Sequence, residues 1–188
     1  MISTGGFAVR SFVVGVAVVA AVLGLGAPAQ AEGALDPLVG SAAERVVLSD
    51  QVAAAKWGTG SPIEDPEREQ QVLDGVAARA VELGLDPEEA KRVFRDQIEA
   101  SKLVQRGLHA HWSAHPDEQP TERPDLGEIR PELDRLGEAI LVVLRDTDDL
   151  REGASCPGLL VSAYAHSAHD LDALHQTALG RAVPLICS

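Results

Sequence analysis

Asp86-Pro87-Glu88-Glu89-Ala90-Lys91-Arg92-Val93-Phe94-Arg95-Asp96-Gln97-Ile98-Glu99-Ala100-Ser101-Lys102-Leu103-Val104-Gln105-Arg106-Gly107-Leu108-His109-Ala110-His111-Trp112 is the stretch on which the fold turns. Phe94, Ile98, Ser101, Gln105, Leu108 and Trp112 recur at alternating spacings of four and three, which is one continuous face of a helix. Asp86 reads as its N-cap, Pro87 as its first residue and Glu89 as the acid of a capping box. Ser101 and Gln105 interrupt an otherwise apolar stripe. A buried hydroxyl and a buried amide need partners, so this face is expected to meet something polar.

The flanking segments read as helices too. The first runs from about Pro37 to Trp57 and stops at Gly58-Thr59-Gly60-Ser61-Pro62. Leu38, Ala42, Arg45, Val52 and Lys56 share a line on it, and the interval from Arg45 to Lys56 is close to three full turns. The second has Asp65 as N-cap and Pro66 at its first position, and it ends at Gly84. Arg68 and Glu69 lie in its first turn, where the helix dipole favours an anion. A Pro-rich loop spans residues 115–124. A fourth segment runs from about Leu126 to Leu150, with Arg130 bordering the stripe Ile129, Leu133, Leu136, Ile140 and Val143. A fifth starts after Cys156-Pro157 and ends near Gly180. No β-type alternation persists. The expected fold is all-α, a single-domain bundle of about five to six helices.

Residues 1–31 read as a cleaved signal peptide. A short segment ending at Arg10 precedes an apolar run from Ser11 to Leu25, and Ala29-Gln30-Ala31 supplies the small-x-small cleavage site before Glu32. A single membrane anchor is the other reading of such a run, but this one is short. The expected product, residues 32–188, is long enough for one domain with its own core. It is secreted or periplasmic and has no membrane partner after cleavage. The chain's formal charge of −13 becomes −14 without Arg10, the only charged residue in the leader. Nucleic acid is therefore a poor partner. Cys156 and Cys187 are an even pair in an exported chain and are expected to form a disulfide. Their spacing excludes a CxxC redox or zinc site.

Arg45, Lys56, Arg68 and Arg130 are thus long cations on or beside apolar faces of an acidic chain, with Gln105 among them. Buried charge is costly unless something pairs with it. The pattern predicts an internal site for a small anion. Singly, each cation could equally be a snorkelling surface residue.

These residues resemble the all-helical chorismate mutases, specifically their exported gamma subclass. The resemblance is carried by Glu44-Arg45 to Lys56, by Ser61-Pro62-Ile63-Glu64-Asp65-Pro66-Glu67-Arg68-Glu69, by Asp86-Pro87 with Arg92 to Ser101, and by Pro124-Asp125-Leu126 to Arg130. It implies conversion of chorismate to prephenate without a cofactor or metal, by a homodimer. It implies that Arg45 and Arg130 hold the two substrate carboxylates, and that Lys56 binds a carboxylate and the ether oxygen. Gln105 would donate to the same ether oxygen, and Arg68 would belong to the cationic wall. Asp65 and Glu69 would lie near the ring hydroxyl and Ser101 near a carboxylate. Two features depart from the pattern. Gln105 stands where exported members often carry Glu, and Pro131 follows Arg130 directly.

Competing expectations are an isochorismate pyruvate-lyase-like enzyme and a non-catalytic secreted protein that binds an anion. His109, His111, His115, His166 and His169 could suggest a metal, but no Cys or acidic ligand pattern accompanies them. They read as solvated surface histidines.

Overall fold

Proline opens four of the helices at a position whose N–H has no partner in any case: Pro37, Pro66, Pro87 and Pro157. The computed structural model describes residues 1–2 and 33–187, and among them every regular element is helical. The greater part of the expected leader lies outside the described residues. In chain order the helices are α1 Asp36–Lys56, α2 Pro66–Leu83, α3 Pro87–Ala114, α4 Leu126–Asp146, α5 Asp148–Arg151, α6 Cys156–Ala168 and α7 Ala173–Ala182. A 3₁₀ turn, Pro116–Glu118, lies between α3 and α4.

The caps explain the boundaries. Asp65 accepts from the backbone N–H of Arg68, and Asp86 accepts from those of Glu88 and Glu89. Gly84 closes α2 at φ 79°, a left-handed conformation that suits glycine. The expected capping box on α3 is only half made, because the Glu89 carboxylate is taken by Arg151.

Two expectations on the C-terminal third need correction. The fourth segment does not continue to Leu150. Thr147 Oγ1 donates to the Val143 carbonyl at 2.6 Å, α4 ends there, and the single turn α5 follows. The expected fifth helix is two. Asp172 caps a new helix by accepting from the His175 N–H, so α6 and α7 separate around residues 169–172. The described residues therefore carry seven α-helices rather than five to six.

Helix α1 is the hub. It packs on α4, α3, α6 and α7, while α2 lies across α3 and α4. One buried cluster joins Leu38, Val39, Ala42 and Val46 of α1 to Leu73 and Val76 of α2, Val93, Phe94 and Val104 of α3, Ile140 and Leu144 of α4, and Leu179 of α7. Full burial of each Leu, Val, Ile or Phe is worth about 1.5–3 kcal/mol. Gly137 lets α4 approach α1 and α3, since a Cβ there would stand 3.3 Å from Phe94 Cε1 and 3.6 Å from Arg45 Nη1.

The C-terminal part is tied down twice. Cys156 and Cys187 are bonded, with Cα atoms 5.8 Å apart. Arg151, only 1% exposed, pairs with Glu89 of α3 and Asp148 of α5 and donates to the Ile186 carbonyl at 3.1 Å. Among the described residues no helix is long and apolar enough to cross a membrane.

Candidate active site

A cavity of about 490 Å³ opens between α1, α2, α3 and the start of α4. All eight residues expected to handle substrate line it: Arg45 and Lys56 of α1, Asp65, Arg68 and Glu69 at the head of α2, Ser101 and Gln105 of α3, and Arg130 of α4. Apolar walls come from Val52, Ile63, Val72, Ile98, Ile129 and Leu133. The cavity thus combines apolar walls with a cluster of cations inside an acidic molecule.

Arg45 is fixed before any ligand arrives. Its Nη1 donates to the Leu133 carbonyl at 2.5 Å, and its guanidinium lies 5.7 Å from the centre of the Phe94 ring. Its Nε is buried without a partner. Burial lowers its pKa to about 10, against the opposing pull of Asp134, so it is still cationic at neutral pH. Lys56 Nζ reaches the Ile63 carbonyl at 3.3 Å. Burial holds its pKa below the ordinary lysine value; Asp65, Glu64 and Glu69 pull it back up, and Arg130 pushes it further down.

Asp65 spends one carboxylate oxygen capping α2, 3.0 Å from the Arg68 N–H, while Arg68 Nη1 holds Gln71 Oε1 at 3.3 Å. Arg130 lies on the first turns of α4, which starts at Leu126, so Pro131 falls inside the helix. Proline removes the bond that would run back to the Gly127 carbonyl, and Gly127 is exposed, so water can serve that oxygen. Arg130 still faces the cavity.

Two contributors escaped the sequence reading. Lys102 lines the cavity and is almost buried. Its ammonium lies 2.6 Å from Glu99, 3.1 Å from Glu64 and 3.1 Å from Glu69. Burial alone would lower its pKa, but hydrogen bonds to Glu99, Glu64 and Glu69 outweigh it and the net shift is upward. Lys102 and Arg95 thereby offset part of the Glu69 charge, which would otherwise weaken the positive field. Its sign in the sequence was its place beside Ser101, three residues after Glu99. Ser49 is the second. It completes the spacing Arg45, Ser49, Val52, Lys56 on α1, and its Oγ lies 2.8 Å from Ser101 Oγ.

The histidines are engaged elsewhere. His109 Nε2 lies 2.9 Å from the Ala53 carbonyl and its ring packs against Trp57 and Trp112, which also meet each other, while His111 pairs with Glu118.

The chain can now be set beside known proteins. The family described as chorismate mutase type II matches residues 36–106, which supply seven of the eight residues expected to handle substrate. A secreted chorismate mutase of Mycobacterium tuberculosis is 37% identical over 169 residues, 87% of this chain and 84% of that protein. One from Mycolicibacterium smegmatis is 41% identical over 125 residues, 65% of this chain and 69% of that protein. The crystal structure of chorismate mutase from Burkholderia phymatum superposes with a TM-score of 0.80 at 43% identity, covering 84% of this chain and 98% of that one. Relatives that match along most of their length and a shared fold make the chain a member of the chorismate mutase type II family.

Proposed function

We propose that the chain is an exported chorismate mutase, an isomerase that converts chorismate to prephenate in the cavity between α1, α2, α3 and α4. The observation that carries this reading is the convergence of Arg45, Lys56, Arg68, Arg130 and Gln105 on one largely apolar cavity. Relatives named as secreted chorismate mutases support both the activity and the export.

The rearrangement is intramolecular and pericyclic. One C–O bond breaks as one C–C bond forms, so no nucleophile, base or redox partner takes part. The protein has two tasks. It holds a flexible dicarboxylate in its compact reactive shape, and it stabilises negative charge that grows on the ether oxygen. Arg45 and Arg130 serve the first task, because a guanidinium binds a carboxylate through two parallel hydrogen bonds. Arg45 arrives preorganised by Leu133 and Phe94, so little order is lost on binding. Lys56 and Gln105 serve the second task at the ether oxygen. Arg68 completes the cationic wall, Ser101 meets a carboxylate, and Asp65 and Glu69 border the ring hydroxyl.

The reading extends to residues 32–188 as one catalytic domain after removal of residues 1–31, and to a homodimer in which each copy carries its own complete cavity. Sedimentation velocity checks the dimer. Nucleic acid and membrane surfaces are not partners of a chain this acidic.

Purified residues 32–188 are expected to form prephenate from chorismate in buffer containing EDTA, with no added ion or nucleotide. No prephenate from folded protein would overturn the reading. Pyruvate release from isochorismate at a higher kcat/KM would assign the cavity to lyase chemistry instead.

A further inference from the structure

Behind the cavity wall runs a short path of hydrogen bonds. Ser49 on α1 has no exposed surface and does not line the cavity. Its Oγ lies 2.8 Å from Ser101 Oγ and 2.9 Å from the Arg45 carbonyl. Ser101 Oγ lies 3.0 Å from Gln105 Nε2. Gln105 Oε1 is buried without a hydrogen-bond partner.

Each hydroxyl has one proton to donate, so the path has two directions. In the first, Gln105 donates to Ser101, Ser101 to Ser49, and Ser49 to the Arg45 carbonyl. That direction spends an amide N–H on Ser101 and leaves the Gln105 carbonyl unmet, which is costly in a buried place. In the second, Ser49 donates to Ser101, and Ser101 donates to the Gln105 carbonyl. The amide has then turned about its last torsion, which has a broad, roughly two-fold profile. The carbonyl is then satisfied and the two serine oxygens need not move, while both N–H donors of Gln105 take the buried, unpartnered position and stay unmet until an acceptor enters the cavity.

We propose that Ser49 is a positioning residue that acts through Ser101 to hold the Gln105 amide with its N–H donors toward the substrate. The proposal rests on reading the cavity as a chorismate site, and it adds the device that orients its amide. Negative charge growing on the ether oxygen attracts an N–H and repels a carbonyl, so the second direction is the one the transition state favours. A chain of aligned hydroxyls also polarises each donor along it. Without Ser49, the Ser101 hydroxyl loses its donor and can turn to a carbonyl of its own helix. The Gln105 amide is then released.

The test compares wild type, Ser49→Ala, Ser101→Ala and the double variant, each checked for an unchanged fold by circular dichroism and melting. Ser49→Ala is expected to lower kcat about three- to tenfold, the effect of one hydrogen bond. KM should change by less than about twofold, since the effect falls on the transition state. In the Ser101→Ala background, Ser49→Ala should cost nothing further. Losses that add in the double variant, or an unchanged kcat in Ser49→Ala, would overturn the proposal. A second readout does not need turnover. The side-chain amide ¹⁵N–H resonances of Gln105 should shift and broaden in Ser49→Ala, and resonances identical to wild type would overturn it. Were wild type inactive on chorismate, the functional reading would fall while the Gln105 amide resonances still decided the role of Ser49.

Discussion

Burial holds the Lys56 ammonium below the ordinary lysine range, and Arg130 adds to the effect against Asp65, Glu64 and Glu69. The free enzyme should therefore lose this cation at a pH below the ordinary lysine range. A pH profile of kcat/KM is expected to fall on its alkaline side in wild type. Lys56→Ala should keep only the part of that limb that Arg45, with its pKa of about 10, contributes, and show kcat lower by roughly two to three powers of ten. Arg45 behaves differently. On the proposed reading it binds charge present throughout the reaction, so Arg45→Ala should chiefly raise KM. It also underpins Phe94 and the Leu133 carbonyl, so the same change should destabilise the fold by about 1–3 kcal/mol in urea titration. Gln105 supplies a donor that does not titrate. Gln105→Glu should lose kcat/KM as pH rises and recover part of it toward acid, because ionised Glu repels the growing charge. A variant as active as wild type at alkaline pH would remove Gln105 from the ether oxygen.

Between elements, His175 joins α7 to α1. Its Nε2 lies 2.8 Å from Asp50 of α1, and its Nδ1 lies 2.8 Å from Asp172, the cap of α7. Burial lowers its pKa, but hydrogen bonds to Asp172 and Asp50 outweigh this and the net shift is upward. A raised folded-state pKa means that the bridge contributes fully below the unfolded value of about 6.5 and is lost as pH climbs through the folded value. Asp172 has the opposite sign. Bonds from the His175 backbone and ring lower its pKa, so its contribution is present above the unfolded value and fades in acid. The melting-temperature gap between wild type and His175→Gln is expected to be widest in mildly acidic buffer and to narrow toward alkaline pH. A gap that does not vary with pH would mean that the ring stays neutral. The same region shows where a sequence is hard to read. Asp172 is a cap only if the chain turns at residues 169–172, and Ala- and Leu-rich flanks alone do not announce that turn. Where an Asp precedes a Pro, as at Asp65-Pro66 and Asp86-Pro87, two local signals agree and the start is legible.

Over the whole molecule, the cavity was legible because Arg45, Lys56, Ser101 and Gln105 interrupt apolar stripes, Arg130 borders one, and Asp65, Arg68 and Glu69 mark the start of a helix. Lys102 was hidden because its three carboxylates arrive from α2, from its own turn and from the loop before α2, a meeting that only the packed structure creates. Arg151 was hidden for the same reason. The disulfide lies away from the cavity and closes a loop of 31 residues, a constraint worth about 3–4 kcal/mol against the unfolded chain. Reduction is expected to lower the melting temperature while turnover at moderate temperature stays near that of the oxidised protein, measured side by side in a coupled melt and assay. The double tie of the C-terminal part also has a consequence in time. Arg151 cannot complete its set of acceptors, nor Cys156 its bond, until residues 186 and 187 are available. Synthesis delivers those residues after all seven helices. A chain bound for export thus lacks its last two fasteners while most of it is already made, and its locked form belongs to the compartment in which it arrives.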